Sequence, residues 1–464
     1  MEHTYDVFII GGGTGGYTAA IRAAQEGFSV CIAEEREVGG TCLNRGCIPT
    51  KTLMHSSILL DEISHAAEFG IEHDGARVNL ARIYERKNEV VTQIREGVES
   101  LLKMNKVQLL NAHAIIIGKE QVSVEGKIYK AKHIIIATGA EPVRLPIPGG
   151  DLPGIVTSDE ILSWDKALPK SMTIIGGGVI GVEIASVFNT FGCNISIIEA
   201  APRILPTMDK EISQNLAMIL KKRGITINCG ASVSRIEAVG QELSTLFTAK
   251  DMEDTVRSEI VLVAVGRRAN LDGLFAEGFT VEQNRGIVVN KNFQTNIPGI
   301  YAIGDAVSNG IQLAHAAAAQ ATNLVAYISG KESEIDISAI PAGIYTNPEI
   351  ASVGLTESQA KELGIDVETG KYPMSGNGKS IIENQERGFI KLVFERETKV
   401  ILGAQLMCAR ATDLISELTT AVVNHLTIHD LLSVIRPHPT FTEGVTESLE
   451  SVLGTAVHMT PKKK

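Results

Sequence analysis

The chain has little cysteine, no excess of positive charge and no long apolar run. Its six cysteines, in 464 residues, include one close pair, Cys42 and Cys47, and no second pair to complete a four-cysteine zinc site. Lys and Arg number 43 against 54 Asp and Glu, a net charge of −11. This balance excludes nucleic acid and anionic membrane as main partners, because both select cation-rich surfaces. No apolar stretch reaches the roughly 18 residues of a membrane helix, so no membrane insertion is expected. Residues 5–10 already read as a buried strand, so no leader is expected and the protein is read as soluble and cytoplasmic. In that reducing compartment a close cysteine pair points to metal binding or redox chemistry rather than to a structural disulfide. Cys31, Cys193, Cys229 and Cys408 read as small buried hydrophobes, and Lys462, Lys463 and Lys464 as a solvated tail. The 44% hydrophobic and 21% charged content is that of a globular protein, and the length requires several domains.

What the chain does contain is a repeat. Residues 7–20 (VFIIGGGTGGYTAA) match residues 172–185 (MTIIGGGVIGVEIA) at one ungapped offset of 165. That offset carries Gly11, Gly13 and Gly16 onto Gly176, Gly178 and Gly181, and Glu34 onto Glu199. Each copy reads as an apolar strand, a G-x-G-x-x-G turn, a helix and a second apolar strand ending in glutamate. The glycines permit a tight turn and close approach of a pyrophosphate, whose charge the helix N-terminus favours. The glutamate can accept hydrogen bonds from an adenosine ribose. A bare strand-to-helix turn does not need that acid, so two dinucleotide sites are expected. Glu199 would repel a 2′-phosphate, which favours NAD over NADP in the second site. Arg203 nearby reads as a surface charge.

Residues 133–142 (HIIIATGAEP) and 259–270 (EIVLVAVGRRAN) are apolar strands that run into glycine turns and close the two units. A short strand then ends at Gly304 and Asp305, and an alanine-rich helix follows from about Gln312. Asp305 is placed to hold a ribityl hydroxyl or a phosphate-bound water. The helix start at Leu313, Ala314 and His315 would face the pyrimidine edge of a flavin, with His315 acting through its backbone. The first unit is thus split, with the second inserted into it. From about residue 340 the pattern is strand, hairpin (turning at ETK) and helices of an α+β domain.

These residues resemble the pyridine nucleotide–disulfide oxidoreductase family over essentially the whole chain. The likeness rests on GGTCLNRGCIPTK (39–51), both glycine motifs, TNIPGIYAIGDA (295–306) and RPHPTFTE (436–443). It implies an α/β fold with two Rossmann-like dinucleotide-binding domains, the second inserted in the first, and a C-terminal α+β dimerisation domain. The expected boundaries are 1–145 and 267–337 for the FAD-binding domain, 146–266 for the NAD-binding domain and 338–464 for the interface domain. The implied cofactors are FAD and NAD, with no resident metal.

The resemblance also implies roles. Cys42 and Cys47 would form a reducible disulfide, Cys42 exchanging with substrate and Cys47 lying against the flavin. Gly46 would relieve the small loop, and a helix opening there would lower a thiol pKa. His438 would be the base, contributed by the other subunit of a homodimer, with Glu443 fixing its tautomer. FAD contacts are expected at Gly11, Gly13, Gly16, Glu34, Thr41, Lys51, Ala114, Thr138, Gly139, Gly304, Asp305, Leu313, Ala314 and His315. NAD contacts are expected at Gly176, Gly178, Val179, Ile180, Gly181, Glu183, Glu199, Val233 and Gly266, with Glu183 also the partner of a buried Lys51.

Within the family, the pattern points to NAD-linked oxidation of protein-bound dihydrolipoamide. The carrier would be the lipoyl-bearing acyltransferase of a 2-oxo acid dehydrogenase complex or the lipoyl protein of glycine cleavage. Arg45, Arg436, Pro437, Phe441 and Thr442 depart from the common pattern, at positions expected to line or approach the substrate channel. The alternatives are an NADH-dependent disulfide or metal reductase and, in another class, a flavin-bearing redox sensor or structural subunit.

Overall fold

The computed structural model describes residues 3–333, 335–385 and 387–460; the expected lysine tail lies outside them. The chain forms two compact units, one of residues 1–169, 236–243 and 259–337, the other of residues 170–235, 244–258 and 338–464.

The first unit begins with β1 (His3–Ile10), α1 (Thr14–Gln25), β2 (Val30–Ala33), α2 (Gly40–Arg45), α3 (Cys47–His65) and α4 (Leu80–Met104). Then come β3 (Gln108–Leu110), β4 (Ala114–Gly118), β5 (Gln121–Val124), β6 (Lys127–Ile136), β7 (Ala140–Pro142), β8 (Ile155–Thr157) and α5 (Ser158–Ile161). β1 is parallel to β2 (Val7 opposite Val30) and to β6 (Val7 opposite His133), and β2 to β3. The strand Ile300–Ala302 lies parallel to β6, so a segment far along the chain extends the sheet of the first glycine motif. Along β1, Val7 and Ile9 enter one core cluster while Phe8 and Ile10 enter another. This two-sided burial explains why the strand reads as an unbroken apolar run.

α1 buries Gly15, Gly16, Ala19, Ala20 and Ala23, a face of small residues that lets the helix lie close to its neighbours. The alanine-rich helix runs Ala314–Ile328, two residues later than the sequence places it. Within the first unit, β7 is also antiparallel to Arg267–Ala269, which sets Arg267 beside Ala140.

The second unit contains β9 (Ser171–Ile175), α6 (Val179–Thr190), β10 (Asn194–Glu199), α7 (Lys210–Lys222) and β11 (Thr226–Cys229), with β9, β10 and β11 parallel. Its C-terminal part is an antiparallel five-stranded sheet in the order Ala342–Ile344, Glu349–Gly354, Ile401–Cys408, Phe389–Glu395, Val367–Pro373. A core that includes Leu392, Phe394, Leu406, Leu418 and Leu449 joins this sheet to the helices Ala411–Val423 and Glu443–Leu453. Each such buried side chain contributes roughly 1.5–3 kcal/mol. The apolar run 419–435 spans the end of one helix and the whole of a second. Ala411–Val423 ends before His425 (φ +51°), and Thr427 and Asp430 form a capping box that starts Ile428–Leu432.

Candidate active site

The two glycine turns are built alike. A Cβ on Gly16 would lie 1.8 Å from the Gly11 carbonyl oxygen, and one on Gly181 would lie 2.0 Å from that of Gly176. Only glycine lets each helix start so close to its strand end. Gly13 and Gly178 differ: a Cβ at Gly13 would touch nothing nearer than 3.8 Å, and at Gly178 nothing within 4 Å. Gly178 therefore faces open space where a pyrophosphate can lie against the backbone, and a Cβ at Gly13 would make only ordinary contact with Gly40.

The two glutamates repeat as well. Glu34 Oε2 accepts from the Gly12 N–H at 2.6 Å and Oε1 from the Arg36 N–H at 2.8 Å. Glu199 Oε2 accepts from the Gly177 N–H at 2.5 Å and Oε1 from the Ala201 N–H at 2.6 Å. Each acid thus fastens its own glycine turn, a role that the motif alone does not reveal. Each oxygen keeps acceptor capacity for a ribose hydroxyl. Burial pushes the Glu34 carboxyl above its ordinary value, against the opposing pull of the two N–H donors. Arg203 is half-buried, and its guanidinium donates to the carbonyls of Pro206 (2.8 Å) and Met208 (3.2 Å).

The loop carrying the cysteines is pressed onto the first turn. The Gly39 N–H donates to the Gly12 carbonyl at 2.8 Å. Gly40, at φ +55°, lies so close that its Cβ would sit 2.7 Å from Gly13 Cα. Two helices follow end to end, α2 with Cys42 and α3 opening on Cys47, jointed at Gly46 (φ −145°, ψ −108°). Cys42 and Cys47 are in the thiol form, both partly buried. The hydrogen bond to Cys47 and then burial push the Cys42 thiol up, with Thr14 and Lys51 pulling the other way. Cys42 is the third residue of α2, in its first turn. Cys47 is the residue that opens the longer helix.

Other predicted flavin residues are placed as follows. Thr41 is on α2 and accepts from Arg267 Nη2 at 3.2 Å. Lys51 is half-buried on α3 rather than fully buried. Ala114 opens β4 and is buried. Thr138 and Gly139 follow β6, and Thr138 Oγ1 is a buried hydroxyl with no hydrogen-bond partner among the described residues. The Gly304 N–H donates to Gln320 Oε1 at 2.7 Å, which ties the strand end to the alanine-rich helix. Burial raises the Asp305 carboxyl, opposed by Arg267. Leu313 is the N-cap of that helix, and Ala314 and His315 are its first residues. The tight turn and the orphan Thr138 hydroxyl fit a dinucleotide.

In the second unit Val179, Ile180, Gly181 and Glu183 lie on α6, and Val233 on the strand Ala231–Val239. Glu183 is buried and accepts from the Tyr345 N–H at 2.9 Å. Gly266, at φ +120° in the first unit, precedes the strand Arg267–Ala269.

His438 and Glu443 are brought together: Nδ1 is 2.8 Å from Glu443 Oε1, and Oε2 accepts from the Thr440 N–H at 2.8 Å. The imidazole side chain is 78% exposed, so its other nitrogen is free to meet solvent or substrate. Burial pushes Glu443 up, but the Thr440 N–H and His438 outweigh it and hold the carboxyl below its ordinary value.

The departures Arg45 and Arg436 both have their guanidinium groups engaged inside their own unit. Arg436 pairs with Glu417 and donates to Thr446 Oγ1 at 2.9 Å; Arg45 donates twice to Glu37 Oε2, at 2.9 and 2.8 Å. Phe441 is buried. Cys31, Cys193 and Cys408 are buried as expected, but Cys229 is only half-buried at the end of β11. Among the described residues no group of three or more His, Cys, Asp or Glu is placed to hold a metal ion, and no helix is long and apolar enough to cross a membrane.

Known proteins share this architecture. The family described as pyridine nucleotide-disulphide oxidoreductase matches residues 5–321, and its dimerisation domain matches residues 340–449. The dihydrolipoyl dehydrogenase of Chlamydia muridarum is 39% identical, with 100% of both chains covered. That of Bacillus subtilis is also 39% identical, covering 99% of this chain and 100% of its own. Among solved structures, the HOCl-induced flavoprotein disulfide reductase RclA of Escherichia coli superposes with a TM-score of 0.86 at 30% identity, covering 97% of this chain and 100% of its own. A further structure of that protein is its Cu(II) complex. The chain belongs to the pyridine nucleotide-disulphide oxidoreductase family.

Proposed function

We propose that the protein oxidises protein-bound dihydrolipoamide to lipoamide and delivers the electrons to NAD. The observation that carries this is the hydrogen-bonded pair Cys42 and Cys47 beside a dinucleotide turn, in a chain 39% identical over its full length to dihydrolipoyl dehydrogenases. The first turn, with Thr41, Thr138, Gly139 and Asp305, holds FAD; the second, with Val179, Glu183 and Glu199, holds NAD. When bound, FAD accepts an electron pair from the reduced cysteines and NAD carries it away as a hydride.

The protein's own residues do the rest. One thiolate of dihydrolipoamide attacks Cys42 Sγ of a Cys42–Cys47 disulfide, and Cys47 Sγ leaves with the bonding electrons. His438 of the partner subunit takes the thiol proton, held in the required tautomer by its carboxylate. The second substrate sulfur then attacks the mixed disulfide. This releases Cys42, closes the lipoamide ring and leaves both cysteines reduced. The enzyme works as a cytoplasmic homodimer through its interface domain, and a separate lipoyl-bearing chain brings the substrate.

The test is a steady-state assay of dihydrolipoamide with NAD or NADP, beside NADH or NADPH with oxidised glutathione. Fast NAD-linked oxidation of dihydrolipoamide is expected. Cys42→Ser should abolish it while leaving NADH oxidation by artificial dyes, and a variant still turning over dihydrolipoamide would sink the assignment. The likeness to RclA supports a second reading, reduction of another disulfide or of a metal ion with NADH. Dye reduction without lipoamide turnover would favour it.

A further inference from the structure

The redox reading uses Cys42 and Cys47 but none of the charged groups around the loop between them. Arg45, the last residue of α2, is 9% exposed. Besides its two bonds to Glu37, its Nε is 3.8 Å from Asp159 Oδ2. The other oxygen of Asp159 is 3.8 Å from Arg267 Nη1. Arg267 Nη2 in turn donates to the Ala140 carbonyl at 2.6 Å and to Thr41 Oγ1 at 3.2 Å. One carboxylate therefore sits between two guanidiniums, one at each end of α2, with Cys42 between them.

Both guanidiniums are buried, with side chains 10% and 11% exposed, and Asp159 is 21% exposed. Each guanidinium keeps a closer partner of its own, Glu37 for Arg45 and the Ala140 carbonyl for Arg267, and Asp159 is the carboxylate the two cations share. Asn44 adds a brace, its Nδ2 donating to the carbonyls of Val38 and Gly40 at 3.0 Å each. The joint at Gly46 between this six-residue block and α3 lies outside helical backbone space, and a Cβ there would sit 2.9 Å from the Thr41 carbonyl oxygen.

We propose that Asp159, Arg45 and Arg267 are positioning residues for the redox pair, an ion clamp that holds α2 so that Cys42 Sγ stays within bonding reach of Cys47 Sγ. The inference rests on the reading of these cysteines as a redox couple. Reduction breaks the Sγ–Sγ bond and takes up two electrons and two protons to leave two thiols; dithiothreitol, as donor, becomes its own cyclic disulfide. Only the closed form requires the sulfurs about 2 Å apart, whereas the dithiol tolerates drift. Loosening the clamp therefore disfavours the disulfide and makes the pair easier to reduce.

The test equilibrates the FAD-loaded protein with graded ratios of reduced to oxidised dithiothreitol and measures the fraction of Cys42 and Cys47 in the disulfide. Asp159→Asn and Arg45→Met should each raise the dithiol-to-disulfide ratio about tenfold at a fixed reductant ratio, equivalent to about 30 mV. The double variant should add little to either, since both remove one clamp, and Arg45→Lys should fall between wild type and Arg45→Met. If the neutral variants yield no folded protein, Asp159→Glu and Arg45→Lys carry the same measurement at smaller amplitude. Variants that melt earlier but keep the wild-type equilibrium would overturn the clamp. A wild-type protein with no two-thiol couple would instead overturn the redox reading beneath it.

Discussion

The two glycines of the second motif make opposite predictions from one turn. At Gly181 an added methyl would sit 2.0 Å from the Gly176 carbonyl oxygen and 3.2 Å from its carbon. Ordinary contact between carbon and oxygen is more than about 1 Å longer than that first distance. Relief requires α6 to lift from β9, and α6 buries Val182, Ile184, Ala185, Val187 and Phe188. Overpacking of this kind costs about 1–3 kcal/mol or more. At Gly178 the backbone is φ −74°, ψ −172°, which alanine adopts freely, and the methyl meets nothing within 4 Å. Gly178→Ala should leave stability unchanged or raise it by about 0.5 kcal/mol, through the unfolded chain. The same methyl would occupy the space assigned to the pyrophosphate, so NADH affinity should fall at least about tenfold, or about 1.4 kcal/mol. Thermal melts report the first quantity and NADH titration the second, with bound flavin absorbance as the internal control. Gly181→Ala should melt early; Gly178→Ala should melt normally and bind NADH poorly. A Gly178→Ala protein with wild-type NADH affinity would refute the placement of the pyrophosphate against this turn.

Three further outcomes follow from the ion pairs. Lys391 and Asp209 are 3.0 Å apart with side chains 11% and 8% exposed; Lys391→Met should cost about 3–5 kcal/mol in denaturant unfolding. Adding Asp209→Asn should recover part of that, since asparagine keeps the cap that Asp209 gives α7. Asp6 is held well below the ordinary carboxylate range by Lys132 first and then by the Ser29 N–H and hydroxyl. A depressed folded pKa means stabilisation is full above the unfolded value near 3.9 and lost as pH falls through the lower folded one. Wild type should therefore lose melting temperature more steeply than Asp6→Asn between about pH 4 and pH 2. Glu443 is also depressed, its bonds from Thr440 and His438 outweighing burial, so its contribution likewise fades only on acidification. Because the histidine is exposed, Glu443→Gln should change stability by less than about 1 kcal/mol. It should nonetheless slow dihydrolipoamide oxidation by at least about tenfold, with NADH–dye activity kept.

The α/β class, the paired glycine turns and the 39–51 loop are legible in the sequence because each is local. A tight turn, an apolar strand and a close cysteine pair all leave their requirements within a few residues of one another. The offset repeat adds strength, since Gly11, Gly16 and Glu34 recur at Gly176, Gly181 and Glu199 with matching contacts. Those contacts also qualify the inference from the acid. Both oxygens of each glutamate bond backbone N–H groups of the turn and of the residue two beyond, so the acid has a structural reason to be present even without a ribose.

What the sequence hides is pairing at a distance. Arg267 reaches Thr41 across 226 positions and Lys391 reaches Asp209 across 182, and neither span carries any periodic trace. Arg45 stands out in the loop as a charge among small and apolar residues, which raises the question of its partner. Nothing nearby identifies Asp159, which lies in the first turn of a four-residue helix. A buried arginine can be read from sequence only as a demand for a carboxylate; Glu37, 8 positions upstream, answers it locally, but the approach of Asp159 depends on how β7, β8 and α5 pass the loop, and that is fixed by sheet pairings made elsewhere in the first unit.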